Sequence, residues 1–200
     1  MIKKLFYAFL ILGMSFSSLL AMESSFILKG GIELGGKQKY YFEGNKLGKN
    51  DTKRGYNLGL EFIMEGNHYL SYGGGFMVQT DRVLDIEVPI GEEEPELKFS
   101  HLPIYLTARI CNSQNRIPRI GAVCKAGLNT VLENEFFIPQ VDFKPGIFLG
   151  IGGFFEFSHD FSVEFVYHYS TATSTLSRVE STIKTDNLAF LFNYRLNSLF

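Results

Sequence analysis

The sequence contains no Trp, only 2 Cys and 6 Pro, and no marked excess of either charge, its formal net charge being -2 over 200 residues. So few cysteines exclude a disulfide-stapled scaffold, and so few prolines exclude a collagen-like or Pro-rich disordered chain. Without a surplus of Lys and Arg to neutralise phosphates, the chain is not expected to bind nucleic acid. Beyond the first 21 residues, no stretch approaches the roughly 18 consecutive apolar residues that a membrane helix requires, which excludes a helical membrane protein. What is abundant is Gly and Phe, 20 of each, in a chain that is 46% hydrophobic. That suffices for one domain with a core of its own.

The N-terminus differs in composition from the rest. Lys3 and Lys4 precede the apolar run Leu5 to Met14, then a Ser-containing stretch and Leu19-Leu20-Ala21. This is the order of a secretory signal peptide and predicts cutting after Ala21, with residues 22–200 as the exported domain. An uncleaved anchor helix is the competing reading, and the short, Ser-ended run disfavours it. No Cys stands at the junction, so lipid attachment there is not expected.

The remainder alternates. Tyr56, Leu58, Leu60, Phe62 and Met64 fall on one parity, and Asn57, Gly59, Glu61, Ile63 and Glu65 on the other. Successive strand side chains point to opposite faces, so one face of such a strand is apolar and the other small or polar. The same pattern recurs from Leu28, Leu70, Leu102, Ile120, Ile147, Phe161 and Leu188, giving eight strands. Eight such strands make either a soluble sandwich or barrel with the apolar face inward, or an outer-membrane barrel with that face toward lipid.

The polar parity decides between these. It is rich in Gly and carries about one charge per strand, as suits the crowded interior of a narrow barrel. Lys29, Arg109, Lys125 and Arg195 are balanced there by Glu33, Glu61, Glu156 and Glu164. Paired charges are tolerable away from bulk water, whereas a basic residue facing lipid at mid-depth costs about 2–4 kcal/mol. A lumenal charge network of these eight residues is therefore expected. The predicted connections also alternate in length: 36–54, 80–96, 130–144 and 171–183 are long, while 66–67, 112–118 and 158–160 are short. Long extracellular loops opposite short periplasmic turns are a property of outer-membrane barrels. Tyr56, Tyr69, Tyr105, Tyr167, Tyr169 and Tyr194 near strand ends are candidates for aromatic girdles. The expected fold is all-β, an eight-stranded antiparallel transmembrane up-and-down barrel.

The opening Leu28-Lys29-Gly30-Gly31, the segment Leu102-Pro103-Ile104-Tyr105-Leu106-Thr107-Ala108-Arg109, the stretch Gly150-Ile151-Gly152-Gly153-Phe154-Phe155-Glu156-Phe157 and the closing Phe192-Asn193-Tyr194-Arg195 carry a resemblance. In this order they resemble the small eight-stranded outer-membrane barrels of Gram-negative bacteria, the opacity-protein, OmpA-like and OmpX-like group. The terminal Phe200 is similar to the C-terminal signal read by the outer-membrane assembly machinery, although Ser198 interrupts the alternation. The resemblance implies residence in the outer membrane among lipid and lipopolysaccharide, and a role in adhesion, host interaction or envelope integrity.

Eight strands enclose an interior only just wide enough for side chains, so function is expected at the loops or rim rather than through a pore. The first long connection carries Lys37, Lys39, Lys46, Lys49, Lys53 and Arg54. The second is acidic, with Asp81, Asp85, Glu87, Glu92, Glu93, Glu94 and Glu96. These loops are either a recognition surface for a host molecule or solvated loops that attract each other. The acidic run lacks the spaced ligands and turn Gly of a calcium loop, and no metal or cofactor is expected. The alternative function is enzymatic. His168-Tyr169-Ser170 resembles the His-x-Ser pair of an outer-membrane lipid A deacylase family, with Glu180 as a third member, although Thr171-Ala172 follows where that family has Asn-Ala. His168 is expected to point inward, near Glu164. Cys111 and Cys124 have opposite parity and are expected to remain separate thiols on different faces.

Overall fold

The computed structural model describes residues 24–42, 45–52, 55–66, 69–85, 96–112, 117–133, 141–176 and 179–196. The predicted signal peptide, Glu92 to Glu94 of the acidic connection and Phe200 lie outside them. Nine strand segments follow in order: β1 (Ser24–Phe42), β2 (Asn45–Thr52), β3 (Tyr56–Glu65), β4 (Leu70–Asp85), β5 (Glu96–Cys111), β6 (Arg119–Glu133), β7 (Val141–Glu156), β8 (Phe161–Leu176) and β9 (Val179–Leu196).

Each segment pairs antiparallel with its neighbours, and β9 returns to β1, closing the sheet. The two short segments β2 and β3 lie along the same edge of β1. Residues 45–52 pair with its outer half, Gly36 to Phe42, and residues 56–64 with its inner half, Ser24 to Ile32. They form one stave in two segments, so nine segments build an eight-stranded barrel. Where β1 and β3 to β9 close on one another no sheet edge is left unpaired, which a strand crossing hydrocarbon requires; β2, beyond that part, pairs with β1.

The parity is as the sequence demands. Leu106 is 74% exposed, Ile151 63% and Leu58 62%, all on the outer surface. Their neighbours one residue along, Tyr105, Gly152 and Asn57, face inward. A wall apolar on the outside along β1 and β3 to β9 is stable only in lipid. No helix among the described residues is long and apolar enough to cross a membrane, and the crossing is made by strands.

Small turns close one end. Gly66 N donates to Leu70 O (2.9 Å), Phe157 N donates to Phe161 O (3.2 Å), and Ser158 Oγ accepts from Phe161 N (3.0 Å). At the other end the strands run well past the apolar band, which corrects the loop reading. Much of 36–54 is the paired hairpin of β1 and β2, and 171–183 is mostly the paired ends of β8 and β9. Above the lipid the outer face no longer has to be apolar, so pairing continues while the apolar alternation lapses. Tyr105 is also corrected. It is 3% exposed and points into the barrel, not toward a headgroup girdle.

Candidate functional site

The interior is filled in layers. At mid-height, Lys29 on β1, Glu61 on β3, Arg109 on β5, Lys125 on β6 and Glu164 on β8 converge, all at most 4% exposed. Lys29 Nζ lies 2.9 Å from Glu61 and 2.7 Å from Glu164. Lys125 Nζ lies 2.8 Å from Glu164 and 3.7 Å from Glu61. Arg109 Nη2 bridges both carboxylates, 2.9 Å from Glu61 and in direct contact with Glu164. Tyr105 OH donates to Glu61 (3.1 Å), and its ring lies 5.2 Å from Lys125 Nζ. Five inward residues separated by up to 135 positions thus form one network. Partner removal is costly in such a network because it strands a buried charge.

A second layer lies nearer the short turns. Arg195 contacts Glu65 at 2.9 Å and Glu156 at 3.2 Å, and Arg119 Nε lies 3.2 Å from Glu156. Of the eight lumenal charges read from the sequence, five enter the first layer and Glu156 and Arg195 the second. Glu33 is buried apart from both, four residues or about 13 Å along β1 from Lys29. Glu65 and Arg119 were not among the eight. Both sit at strand ends, and Glu65 could have been found from its inward parity.

Apolar groups separate the polar ones. Cys111, Val123, Phe154 and Val166 form one cluster, and Met77, Tyr105, Phe148, Ala189 and Leu191 another. Toward the outer end, Glu33 apart, the lining becomes neutral and hydrogen-bonding. Gln79 Nε2 reaches His168 Nδ1 at 3.3 Å, and Asn129 Nδ2 reaches His101 Nδ1 at 2.6 Å and Thr171 O at 3.0 Å. His168 therefore meets Gln79 and packs beside the Phe148 ring at 5.2 Å, rather than standing by Glu164.

The proposed deacylase group does not assemble. His168 and Ser170 are 1% and 2% exposed and face the interior, away from any lipid substrate. Glu180 lies opposite Thr175 on the neighbouring strand, seven residues beyond His168, about 23 Å along the barrel wall. Among the described residues, no three His, Cys, Asp or Glu side chains converge as a metal site. Cys111 is buried, Cys124 is exposed on the outer face, and neither is in a disulfide.

An apolar exterior, a closed sheet and an interior of mutually neutralised charges leave one medium for this molecule. The chain has the fold of the small outer-membrane barrels. The outer membrane protein OprG of Pseudomonas aeruginosa is similar in structure, with 15% identity over 88% of this chain and 98% of its own and a TM-score of 0.51. AlkL, an outer membrane protein solved in lipid bilayers, is similar with 12% identity over 90% of this chain and 93% of its own and a TM-score of 0.54. No family model matches the sequence, and no curated protein does. At such identities the likeness concerns the barrel's architecture. Its pairing of a lipid-facing wall with a plugged interior locates the protein in the outer membrane of a Gram-negative cell.

Proposed function

We propose that this barrel is a non-enzymatic surface protein, of the opacity-protein and OmpA-like kind its motifs resemble, whose extended hairpins act in adhesion, host interaction or envelope integrity. The observation that carries the reading is the double ion-pair plug. With Lys29, Glu61, Arg109, Lys125 and Glu164 in the middle and Glu65, Glu156, Arg119 and Arg195 in the lower interior, paired side chains occupy the barrel at two levels, which disfavours a pore. At the outer end stand the paired segments β1 and β2, with their excess of lysine, and the sequence that follows β4 is acidic. Opposite charges on these two segments of the sequence suit recognition of a host surface molecule. The assembly machinery of the outer membrane and lipopolysaccharide are its partners during and after insertion. Export requires the leader, so the outer-membrane form begins at Met22.

The test is a deletion of residues 40–48 from the β1–β2 hairpin, with the barrel checked by the gel mobility difference between boiled and unboiled samples. The reading expects a folded barrel with reduced binding to host cells, no stable conductance in planar bilayers with or without the deletion, and an N-terminus at Met22 by mass spectrometry. Steady ion conductance from the intact protein would sink it.

A further inference from the structure

On the outer side of the ion pairs the lumen carries inward polar side chains that take no part in either charged layer. Asn57 on β3 stands opposite Gln79 on β4, which stands opposite His101 on β5. His101 meets Asn129 on β6, and Gln79 reaches across the bore to His168 on β8. His168 is in register with Asn187 on β9, as Ser170 is with Thr185 and Thr185 with Gln38 on β1. The remaining stave, β7, supplies Phe148, opposite Ser170. These residues form a band around the whole bore. Register shifts fall in the same band on three strand pairs: between Glu33 and Gly36, between Gln79 and Arg82, and between Pro145 and Phe148. Bulges bend a strand and re-aim its side chains, and they gather at barrel rims and beside functional sites.

Gln79, His101 and His168 have partners inside the barrel, but other members of the band keep unused capacity. Neither amide atom of Gln38, and neither of Asn57, has a hydrogen-bond partner among the described residues, nor do Asn187 Nδ2, Thr185 Oγ1 and Asn129 Oδ1. None of these five residues is more than 3% exposed. Buried polar groups are nearly always paired, so this many in one band call for a partner that the protein does not supply. Amides and a hydroxyl offer donors and acceptors together and no charge, which matches ligand hydroxyls that both donate and accept. Glu33, the one carboxylate of the band among the described residues, has an interaction of its own. The floor is apolar. Met77 lies two residues inward of Gln79, Ala189 two inward of Asn187, and both pack with Phe148, Tyr105 and Leu191. Apolar and aromatic surface bordered by a few uncharged polar groups suits a sugar ring, whose C–H face is apolar and whose edge is polar.

We propose that Gln38, Asn57, Asn129, Thr185 and Asn187, above the Phe148 ring, hold one small uncharged sugar or polyol inside the outer end of the barrel. Eight staves leave a narrow interior, which limits the ligand to about a single ring. The ion-pair layers occupy the lumen on the inner side, so the ligand enters and leaves by the outer end. Gln38 stands at that side, opposite Thr185, and no hydrogen bond fixes its amide, so rotation of its side chain opens the way. The inference goes beyond the surface-barrel reading and does not depend on what the hairpins bind.

The test uses the whole barrel in detergent, with glucose, galactose and myo-inositol as neutral probes and glucosamine and glucuronate as charged counterparts. Binding is read as the rise in the temperature at which the unboiled gel band is lost, titrated against probe concentration. Sugars also stabilise proteins by exclusion from their surface, but that effect does not saturate and acts alike on every variant. A saturable rise is expected with at least one neutral probe and with neither charged one. Gln38→Met combined with Asn57→Leu breaks no side-chain hydrogen bond among the described residues, so this variant is expected to fold and to bind the neutral probe more than tenfold more weakly. If it does not fold, Thr185→Val decides, since it keeps the shape and deletes the hydroxyl, and severalfold weaker binding is expected. Unchanged affinity in the variant that folds overturns the site, as does equal saturable binding of a charged probe. If no neutral probe gives a saturable rise, these groups bind water alone and the proposal fails.

Discussion

Glu164 meets Lys125 at 2.8 Å in the middle of the barrel, from strands that do not pair with each other. It also contacts Lys29 and Arg109, so a single carboxylate holds cations from three other strands. Glu164→Ala leaves three buried cations with Glu61 as their near counter-ion and is expected to cost about 3–5 kcal/mol. Glu164→Ala combined with Lys125→Met, which removes a pair, is expected to cost less than the single change. Urea unfolding followed by the loss of the fast-migrating gel band measures both. A double variant weaker than Glu164→Ala would show that the layer is not held by charge compensation.

Adjacent glycines on β7 occupy opposite environments. A Cβ on Gly152 would stand 2.1 Å from Phe165 O, on the inner face against β8, whereas a Cβ on Gly153 meets nothing closer than Gly121 O at 3.5 Å. Gly152→Ala therefore forces backbone apart and is expected to cost about 1–3 kcal/mol, with reduced folded yield. Gly153→Ala is expected to fold as the parent does. Comparing the folded fraction of the two variants after outer-membrane extraction checks the inside-outside assignment with the smallest possible change.

Much of this was legible in the chain because lipid imposes the parity. Where hydrocarbon touches the wall, one side chain in two must be apolar, and Leu58 to Met64 or Phe161 to Tyr169 display it. The legibility stops where the lipid stops. Gln38 is buried inside the barrel above the membrane while Lys37 and Lys39 face out, a polar run with no alternation, so a long paired hairpin read as a loop. The partners of each interior charge were also hidden. Which cation meets which carboxylate depends on the stagger between strands, and nothing local to Lys29 indicates Glu164, 135 residues away. Tyr105 looked like a girdle residue by type, and only its inward parity betrayed its role as a donor to Glu61.

The two thiols make a direct probe of the wall. Cys124 is exposed on the outer face, opposite Ala108 on β5, while Cys111 is buried beside Val123 and Phe154. In the folded barrel an apolar maleimide that partitions into lipid is expected to modify Cys124 and leave Cys111 unmodified, and both react after unfolding without reductant. Recovery of fewer than two thiols in the unfolded, unreduced protein would mean that a disulfide forms and that the assignment to opposite faces is mistaken.

The medium outside the wall can be tested at one residue. Leu106 is 74% exposed and lies midway along the crossing part of β5, flanked in register by Gly74 and Ala126, so nothing from the protein shields it. In lipid, Leu106→Arg places a guanidinium near mid-depth at a cost of about 2–4 kcal/mol. Thr130→Arg, on the neighbouring strand at the outer end of the apolar band, is expected to cost about 0–1 kcal/mol because the headgroup region solvates it. If this wall faced water instead, an exposed Leu replaced by Arg would leave stability almost unchanged, and the two variants would not differ. Refolding into lipid vesicles at graded urea concentrations measures the difference. The depth dependence matters more than either cost alone, because only a lipid slab centred on Leu106 makes the same substitution expensive there and cheap some residues higher.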